Sequence, residues 1–206
     1  GDITRLVKES TMRPPAVMVV GKVVNLRQVL AWHEKKPLFG HRILITREYS
    51  SDYAPLEELG AEIFEFPTIR IVPPASYKEL DAAIHRIEEY HWIVLTSANG
   101  VRFFMERFFK KGRDVRDLKG LKLCAVGSKT ADALVAYGMK VDLVPDEFNA
   151  EGLVESLNQM YGSSPDRLEG VRFLLPRAER ARELFPDRVK ALGGTIDTPV
   201  AYRAVK

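Results

Sequence analysis

The residues of this sequence that could do chemistry lie where apolar segments end. Four segment ends carry hydroxyl, amide or cationic side chains, and they are Thr46-Arg47, Thr96-Ser97-Ala98-Asn99-Gly100, Gly127-Ser128-Lys129-Thr130 and Pro176-Arg177. Hydroxyl groups, backbone N–H groups at helix starts and guanidinium groups all donate hydrogen bonds to carboxylate or phosphate. If the fold brings several of these ends together, they predict a binding site for a polyanion.

A purely structural interpretation of the same hydroxyl and amide side chains is also open. Ser, Thr and Asn are preferred as N-cap residues, which begin helices. This alternative applies to Ser97, Asn99, Ser128 and Thr130. Cations at the same edge favour the binding interpretation, because Arg47 or Arg177 would hold a carboxylate with two hydrogen bonds and Lys129 would add a point charge.

The segments that precede these ends indicate a parallel sheet. Ile93-Val94-Leu95 is an apolar run without polar alternation, which is typical of a strand buried on both faces. A similar apolar run begins at Leu123, within the next predicted strand, Leu121–Val126. Residues just past such strands lie in the crevice where open α/β sheets bind ligands. We therefore expect the site at the carboxyl ends of these two strands.

The rest of the chain alternates between strand and helix patterns, which predicts an α/β fold with parallel sheets. The other predicted strands are Ala16–Val20, Ile43–Arg47, Ala61–Phe66, Thr68–Val72, Val141–Val144, Val171–Leu175 and Thr195–Tyr202. The predicted helices include Val23–Glu34, Tyr77–Tyr90, Gly100–Lys111, Ala131–Tyr137, Ala150–Tyr161 and Pro186–Leu192.

Composition and missing motifs narrow the class of function. The 206 residues carry a net charge of +3, which suits an anionic small molecule and does not favour nucleic acid as a partner. No apolar stretch approaches the roughly 20 residues of a membrane span, so we expect no membrane partner and a cytoplasmic location. The single Cys124 lies in an apolar run and indicates a buried thiol in a reducing compartment. Dinucleotide, P-loop and hydrolase motifs are missing, and no histidines have metal-ligand spacing, so we expect no metal site.

Taken in chain order, several short motifs resemble those of bacterial uroporphyrinogen-III synthases. They are Phe39–Arg47, Leu59-Gly60-Ala61-Glu62, Glu65–Ile69, Thr96–Val101, Ala125-Val126-Gly127 with Thr130-Ala131, Leu143-Val144-Pro145, Ala150–Leu153, Leu174–Glu179 and Val200–Arg203. The head of the chain, Pro14–Gly21 with Val23–Arg27, resembles the C-terminal end of uroporphyrinogen-III C-methyltransferases. Each motif alone is weak, but their order is specific, and the resemblance suggests a methyltransferase–synthase fusion.

The resemblance implies two flavodoxin-like α/β domains joined by two linker strands, with the substrate between them. We expect residues 1–36 to be the C-terminal tail of a methyltransferase domain and residues 38–67 to be the first segment of a split synthase domain. Residues 68–204 would be the inserted domain with its linker strands, Thr68–Ile71 and Val200–Ala204. The expected fold is therefore one complete flavodoxin-like domain with a partial second α/β domain, the remainder of which we expect to lie outside the chain.

The implied activity is that of a hydro-lyase acting on a linear tetrapyrrole. Family members close hydroxymethylbilane into uroporphyrinogen III, with inversion of the last pyrrole and loss of water, and without metal or organic cofactor. S-adenosylmethionine would serve only the methyltransferase part. Alternatives are a non-catalytic flavodoxin-like module that binds an anion and a tether for the methyltransferase. We expect the chain by itself to be inactive, and its unpaired strands to permit self-association.

The resemblance also assigns roles to single residues. Tyr202 matches the tyrosine that is the family's favoured acid, although an aromatic that only packs the linker is the alternative. Thr96, Ser97 and Thr130 match hydroxyl groups that would bind substrate carboxylates. Arg177 and Lys129 join them on electrostatic grounds.

Overall fold

The computed structural model of the chain describes residues 2–48, 50–162, 164 and 166–206. The chain divides into two compact units, one ending at Thr68 and the other beginning at Ile69. Each unit has its own sheets, and we describe each by itself.

The elements alternate along the chain as the sequence pattern predicts. The strands are β1 (Arg42–Ile45), β2 (Glu62–Glu65), β3 (Arg70–Val72), β4 (Trp92–Leu95), β5 (Lys122–Ala125), β6 (Arg172–Leu174), β7 (Arg177–Ala178), β8 (Thr195–Asp197) and β9 (Val200–Val205). The α-helices are α1 (Ile3–Glu9), α2 (Arg27–Leu30), α3 (Ala54–Glu58), α4 (Lys78–His85), α5 (Ala98–Lys110), α6 (Ser128–Val135), α7 (Ala150–Tyr161) and α8 (Leu184–Ala191). Short 3-10 helices occur at Lys22–Leu26, Ser51–Tyr53, Ile87–Glu89 and Val115–Leu118.

The second unit is organised around a parallel sheet of four strands in the order β5-β4-β6-β8. Val94 of β4 is level with Cys124 of β5, and Ile93 is level with Leu174 of β6. Numbered within this sheet, the order is second, first, third and fourth, which corresponds to four strands of the flavodoxin-like arrangement. The expected α/β class with a parallel-sheet domain is confirmed.

Alternate residues of these strands pack into two separate hydrophobic cores, one on each face of the sheet. The unit therefore has three layers: helices, sheet and helices. Ile93, Leu95 and Leu123 pack with α4, α5 and α6 on one face of the sheet. Trp92 and Val94 pack with α7 and α8 on the other face. Burying each such side chain stabilises the fold by about 1.5–3 kcal/mol, so both faces hold the strand ends firmly in place.

A small second sheet in the same unit has the order β3-β9-β7. β3 runs antiparallel to β9, with Ile71 opposite Ala204, whereas β7 is parallel to β9. Leu175 and Pro176 connect β6 to β7, and the N–H of Arg177 donates to the carbonyl of Pro199 at 3.1 Å. This connection carries β9, and with it Tyr202, to the carboxyl end of the four-stranded sheet.

The first unit contains a sheet of two parallel strands, β1 and β2, with Ile43 level with Ile63. Helix α3 lies between the strands, and Gly60 follows its C-cap residue Leu59. Gly60 has φ of +98°, and a Cβ atom there would lie 2.8 Å from the Lys36 side chain, so the position favours glycine. Leu44 and Phe64 are largely exposed on this sheet. A parallel sheet of two strands buries little apolar surface by itself, and the exposure follows from that.

Several predicted elements differ from the structure in the described part of the chain. The predicted strand Thr195–Tyr202 is divided into β8 and β9, which belong to different sheets. The predicted helix Tyr77–Tyr90 is divided into α4 and the 3-10 helix Ile87–Glu89. Ala16–Val20 forms no strand there, and Val17 remains 90% exposed, because no neighbouring strand accepts its backbone groups. Val141–Val144 is reduced to one bridge between Leu143 and Cys124. The N–H of Leu123 donates to the Asp142 carboxylate at 2.8 Å. In a regular strand pair this N–H would donate to a backbone carbonyl of the neighbouring strand. The predicted helix Val23–Glu34 is confined to a 3-10 turn and α2.

Candidate functional site

A cavity of about 460 Å³ lies at the carboxyl edge of the four-stranded sheet. Thr96 follows β4 and Leu175 follows β6, and both line the cavity together with Val126, which follows β5. The chain passes from β4 to β5 on one side of it and then crosses to β6 on the other side. The space between the carboxyl ends of β4 and β6 is therefore a topological switch point. Open α/β sheets bind ligands at such points.

The wall of the cavity is apolar, with a few polar groups at its rim. Phe148, Leu153 and Phe185 form much of the wall, and Asn149, Arg177 and Arg182 supply polar groups. This combination is typical of sites that bind small organic molecules with charged substituents.

Arg177 is held in place beside the cavity as the first residue of β7. Its guanidinium donates to the Glu183 carboxylate at 2.7 Å, and its side chain is only 16% exposed. The hydrogen bond from Arg177 lowers the pKa of Glu183 below its usual range. The Glu183 carboxylate therefore orients the Arg177 guanidinium before any ligand binds. A ligand carboxylate would accept hydrogen bonds from the same guanidinium alongside Glu183.

The loop before α7 positions the aromatic wall. Asn149 is the N-cap of α7, and its Oδ1 accepts from the N–H of Gly152 at 2.7 Å. A Cβ atom at Gly152 would lie 2.3 Å from the Glu147 carbonyl oxygen, so only glycine lets the loop fold back this tightly. Phe148 is thereby placed against the cavity, close to Gly127.

We call Thr96–Gly100 the first strand-end loop. Its Thr96 is exposed towards the cavity, and Asn99 is half-buried in the first turn of α5. Ser97 is the N-cap of α5: its Oγ accepts from the N–H of Gly100 at 3.0 Å. The same Oγ lies 2.9 Å from the phenol oxygen of Tyr202. The structure thus joins two predicted site residues that are far apart in the sequence.

Tyr202 lies half-buried on β9 and combines packing with polar contact. Its ring stacks on Phe103 of α5, with ring centroids 5.7 Å apart and planes inclined by 22°. Its backbone carbonyl accepts from the N–H of Glu179 at 2.9 Å. The ring therefore packs β9 onto α5 while the phenol group remains at the sheet edge beside Ser97.

We call Gly127–Thr130 the second strand-end loop, and it differs from the first. Gly127, with φ of +95°, occupies the N-cap position of α6. Ser128 and Lys129 are exposed in the first turn, whereas Thr130 is only 4% exposed and donates to the Val126 carbonyl at 3.1 Å. The N-cap interpretation is consequently wrong for Ser128 and Thr130.

Three predicted residues remain to be placed: Ser97 and Asn99 as N-caps, and Arg47 as a site residue. The N-cap interpretation is correct for Ser97 and wrong for Asn99, which lies inside α5. Arg47 is exposed after β1 in the first unit, whereas the cavity belongs to the second unit. The cavity therefore brings together Thr96 and Arg177, with Ser97 and Tyr202 paired on the same edge of the sheet.

Sequence reasoning missed most of the cavity lining, including Phe148, Asn149 and Arg182. Asn149 could have been found, since an Asn directly before the helical pattern of α7 is a standard N-cap signal. Phe148 and Arg182 lie in connecting segments whose paths depend on packing, and nothing in their spacing marks them.

Two other classes of site find no support among the residues that the structure describes. No group of three or more His, Cys, Asp and Glu side chains among them is arranged to hold a metal ion. No helix in the described ranges is both long enough and apolar enough to cross a bilayer.

Fold and cavity together define a parallel-sheet α/β domain with a cavity at its switch point. The family model described as uroporphyrinogen-III synthase HemD matches residues 51–206, and the chain belongs to this family.

Similar proteins carry related names. The chain is 38% identical over 167 residues to the porphyrin biosynthesis protein HemD of Ruminiclostridium josui, a match covering 80% of this chain and 33% of that protein. It is 36% identical over 174 residues to the uroporphyrinogen-III synthase of Synechococcus elongatus, covering 82% of this chain and 63% of that one. The chain thus spans between a third and two thirds of the length of these relatives.

A solved structure shows the same fold. The crystal structure of a mutant uroporphyrinogen III synthase from the extremely thermophilic bacterium Thermus thermophilus matches with a TM-score of 0.58 at 19% identity. The match covers 81% of this chain and 63% of that one.

Proposed function

We propose that the protein containing this chain is a uroporphyrinogen-III synthase, which closes hydroxymethylbilane into uroporphyrinogen III. The observation that carries the proposal is the switch-point cavity, where a cation and a phenol hydroxyl lie on one sheet edge in a chain of this family. The names of the relatives support the same reaction.

The chemistry of the substrate suits this edge. A linear tetrapyrrole carries acetate and propionate side chains on flat apolar rings. Arg177 and Lys129 supply positive charge, and Thr96, Ser97, Asn99 and Ser128 supply hydroxyl or amide groups near two helix starts. The predicted contact from the Thr130 hydroxyl is dropped, because this side chain is 4% exposed and donates to the Val126 carbonyl. Helix N-termini favour anions, and the wall around Phe148 suits a pyrrole ring. Arg47, which lies in the first unit, stays a predicted substrate-binding residue of that unit.

Tyr202 is proposed as the acid of the reaction. The hydroxyl group of the substrate leaves as water when the C–O bond breaks and a proton is added to the departing oxygen. The substituted carbon of the last pyrrole attacks the resulting cation and forms a spiro intermediate. The bond from that carbon to the neighbouring methylene bridge then breaks, and the free α carbon of the same ring bonds to that methylene, which inverts the ring. The proton lost from this α carbon balances the proton that the leaving oxygen gained. No net oxidation or reduction occurs, so no redox cofactor is required.

Shape and orientation must do the rest, because simple end-to-end closure competes with the inverted product. Holding the substrate by several carboxylates at fixed points restricts which carbon meets the cation. The carboxyl edge of a rigid, doubly covered sheet supports such fixed points.

We also propose a division of the chain. The antiparallel pairing of β3 with β9 supports these strands as the linkers of an inserted domain covering residues 68–204. Residues 38–67 would then begin the companion domain, and residues 1–36 would be the tail of a methyltransferase domain, the part to which S-adenosylmethionine would belong. Tetrapyrrole synthesis from a water-soluble substrate is consistent with a cytoplasmic location.

Isomer analysis tests this proposal. The whole protein that contains these residues is incubated with hydroxymethylbilane, and the type III and type I products are separated by chromatography after oxidation. We expect type III to predominate with the protein and type I to predominate in its absence. Type I alone in both reactions would contradict the synthase function.

A further inference from the structure

The hydroxyl group of Ser97 lies between a backbone donor and a phenol. The N–H of Gly100 donates to Ser97 Oγ at 3.0 Å, and Tyr202 Oη lies 2.9 Å from the same atom. We propose that Ser97 is a positioning residue for Tyr202: it donates its own hydrogen to Tyr202 Oη and leaves the phenol hydrogen available to the substrate. This inference rests on the proposed synthase function and deepens it.

Counting donors and acceptors supports this direction of the hydrogen bond. A serine hydroxyl has one hydrogen and two lone pairs, and the Gly100 N–H occupies one lone pair. If Tyr202 donated to the other lone pair, the phenol hydrogen would point away from any substrate. If Ser97 donates instead, every hydrogen has an acceptor once the leaving oxygen of the substrate meets Tyr202 Oη.

The same arrangement also stabilises what remains after proton transfer. When the phenol proton moves to the leaving oxygen, negative charge develops on Tyr202 Oη. The Ser97 O–H then donates to a charged acceptor, which is a stronger hydrogen bond. The N-terminal end of the thirteen-residue helix α5 lies beside it and favours the negative charge.

The ring of Tyr202 is oriented by a second residue of the same helix. Phe103 is 4% exposed and stacks on the Tyr202 ring at 5.7 Å. Its neighbour Phe104 is equally buried in the same core but stacks on Phe108, at 5.6 Å and 24°. Phe104 therefore provides a control that matches Phe103 in residue type, helix and packing.

A double-mutant cycle in the whole protein tests the role of Ser97. We expect Ser97→Ala to lower kcat for type III formation about tenfold when Tyr202 is present, as expected for one lost hydrogen bond. In the Tyr202→Phe background the same change should lower kcat less than about twofold. Equal losses in both backgrounds would overturn the proposal, because a role in capping α5 or in binding substrate does not depend on the phenol.

Two further variants separate helix capping from hydrogen donation. Ser97→Asp keeps a good N-cap, so thermal stability should be retained. The carboxylate only accepts hydrogen bonds, so the phenol of Tyr202 would donate its hydrogen to Asp rather than to the substrate. This variant should therefore lower kcat at least as far as Ser97→Ala. Repulsion of the substrate by the new charge would appear separately, in KM. Ser97→Thr keeps the donor and should retain kcat within about threefold. Wild-type kcat in Ser97→Asp would overturn the proposal.

The stacking contact is tested by the paired phenylalanine variants. Phe103→Leu should lower kcat about threefold more than Phe104→Leu, measured per folded molecule. Equal effects would overturn the orienting role of Phe103.

The assay distinguishes failure of the Ser97 positioning role from failure of the proposed synthase function. If the unmodified protein forms no type III isomer, the synthase function itself is wrong. If it forms type III and Tyr202→Phe does so at the same rate, the synthase function stands and the positioning role of Ser97 falls.

Discussion

The first strand-end loop begins α5 with Ser97 as its N-cap, whereas the second begins α6 with Gly127 in the same position. Both loops follow buried parallel strands and both contain hydroxyl residues. In the first loop the hydroxyl of Ser97 points to Tyr202, on another sheet. In the second loop the hydroxyl of Thr130 turns back to its own chain at Val126.

The residue at the N-cap thus decides whether a strand-end loop offers a side-chain group or only backbone groups to its surroundings. A serine at this point satisfies one helix N–H and still has capacity for a second partner. A glycine leaves the first turn of the helix to the backbone, and the positive φ of Gly127 sets the path of the loop beside Phe148. One loop is thus suited to proton chemistry and the other to shaping the cavity wall.

The largest expected effect concerns the phenol that only the first loop contacts. Tyr202→Phe in the whole protein should lower kcat for type III formation about hundredfold, since general acids contribute at least that much. Tyr161→Phe is the control: its hydroxyl accepts from Trp92 Nε1 at 2.7 Å on the other face of the sheet, and its loss should affect stability rather than kcat. A steady-state assay of isomer formation compares them, and equal rates for both variants would make Tyr202 a packing residue.

A second, smaller difference is expected between the cations near the two loops. Arg177→Gln should raise KM about tenfold, because this side chain is mostly buried, where charges are poorly screened. Lys129→Gln should raise KM only about twofold, because Lys129 is exposed and solvent screens its charge. The measurement is KM at low and high salt. A larger effect at Lys129 would place the main carboxylate contact at the second loop.

The two loop glycines should differ in their tolerance of alanine. Gly127 has φ of +95°, so Gly127→Ala should lower the free energy of unfolding by about 1–3 kcal/mol. Gly100 is helical, and a Cβ there would lie 3.3 Å from Ser97 Oγ. The gain in helix propensity should offset this crowding, for a net change within about 1 kcal/mol. Chemical denaturation measures both, and a greater loss at Gly100 would reverse the comparison.

The smallest effect concerns the strands that lead into the loops, where Val94 of β4 is level with Cys124 of β5. Burial raises the pKa of the Cys124 thiol from 9.0 to about 12. Because the thiol stays neutral in the folded protein, its contribution to stability is complete below pH 9 and is lost as the pH rises towards 12.

At about pH 10 the unfolding free energy of the unmodified protein should therefore fall by about 1 kcal/mol more, relative to about pH 8, than that of Cys124→Val. The native thiol should also resist alkylation at the lower pH and react after unfolding. Rapid labelling of the native protein would show that β5 is not buried as described.

Much of the fold was predictable because burial imposes strong patterns. The run Ile93-Val94-Leu95 and the helix Ala150–Tyr161 were predicted close to their structural bounds, since one is apolar throughout and the other has a clear helical period. Ala16–Val20 has an equally apolar pattern but forms no strand in the described chain. A pattern records the tendency to be buried, whereas a strand also needs a partner for its backbone groups.

The site was predictable only in part, for a different reason. Residue types marked Ser97 and Arg177 as candidates, but the contact of Ser97 with Tyr202 joins positions more than a hundred residues apart. That contact depends on how β9 pairs with β7 and passes the end of β4, which local sequence does not encode. Phe148 and Arg182 lie in connecting segments and were missed for the same reason.

The central claim is that the carboxyl edge of the four-stranded sheet binds the tetrapyrrole. Amide hydrogen exchange of the whole protein, with and without uroporphyrinogen III under anaerobic conditions, tests it most directly. We predict slower exchange on binding at residues 96–100 and 127–130 and around Arg177. Protection confined to the opposite edge, near His91 and Lys122, or no protection in this sheet, would contradict it.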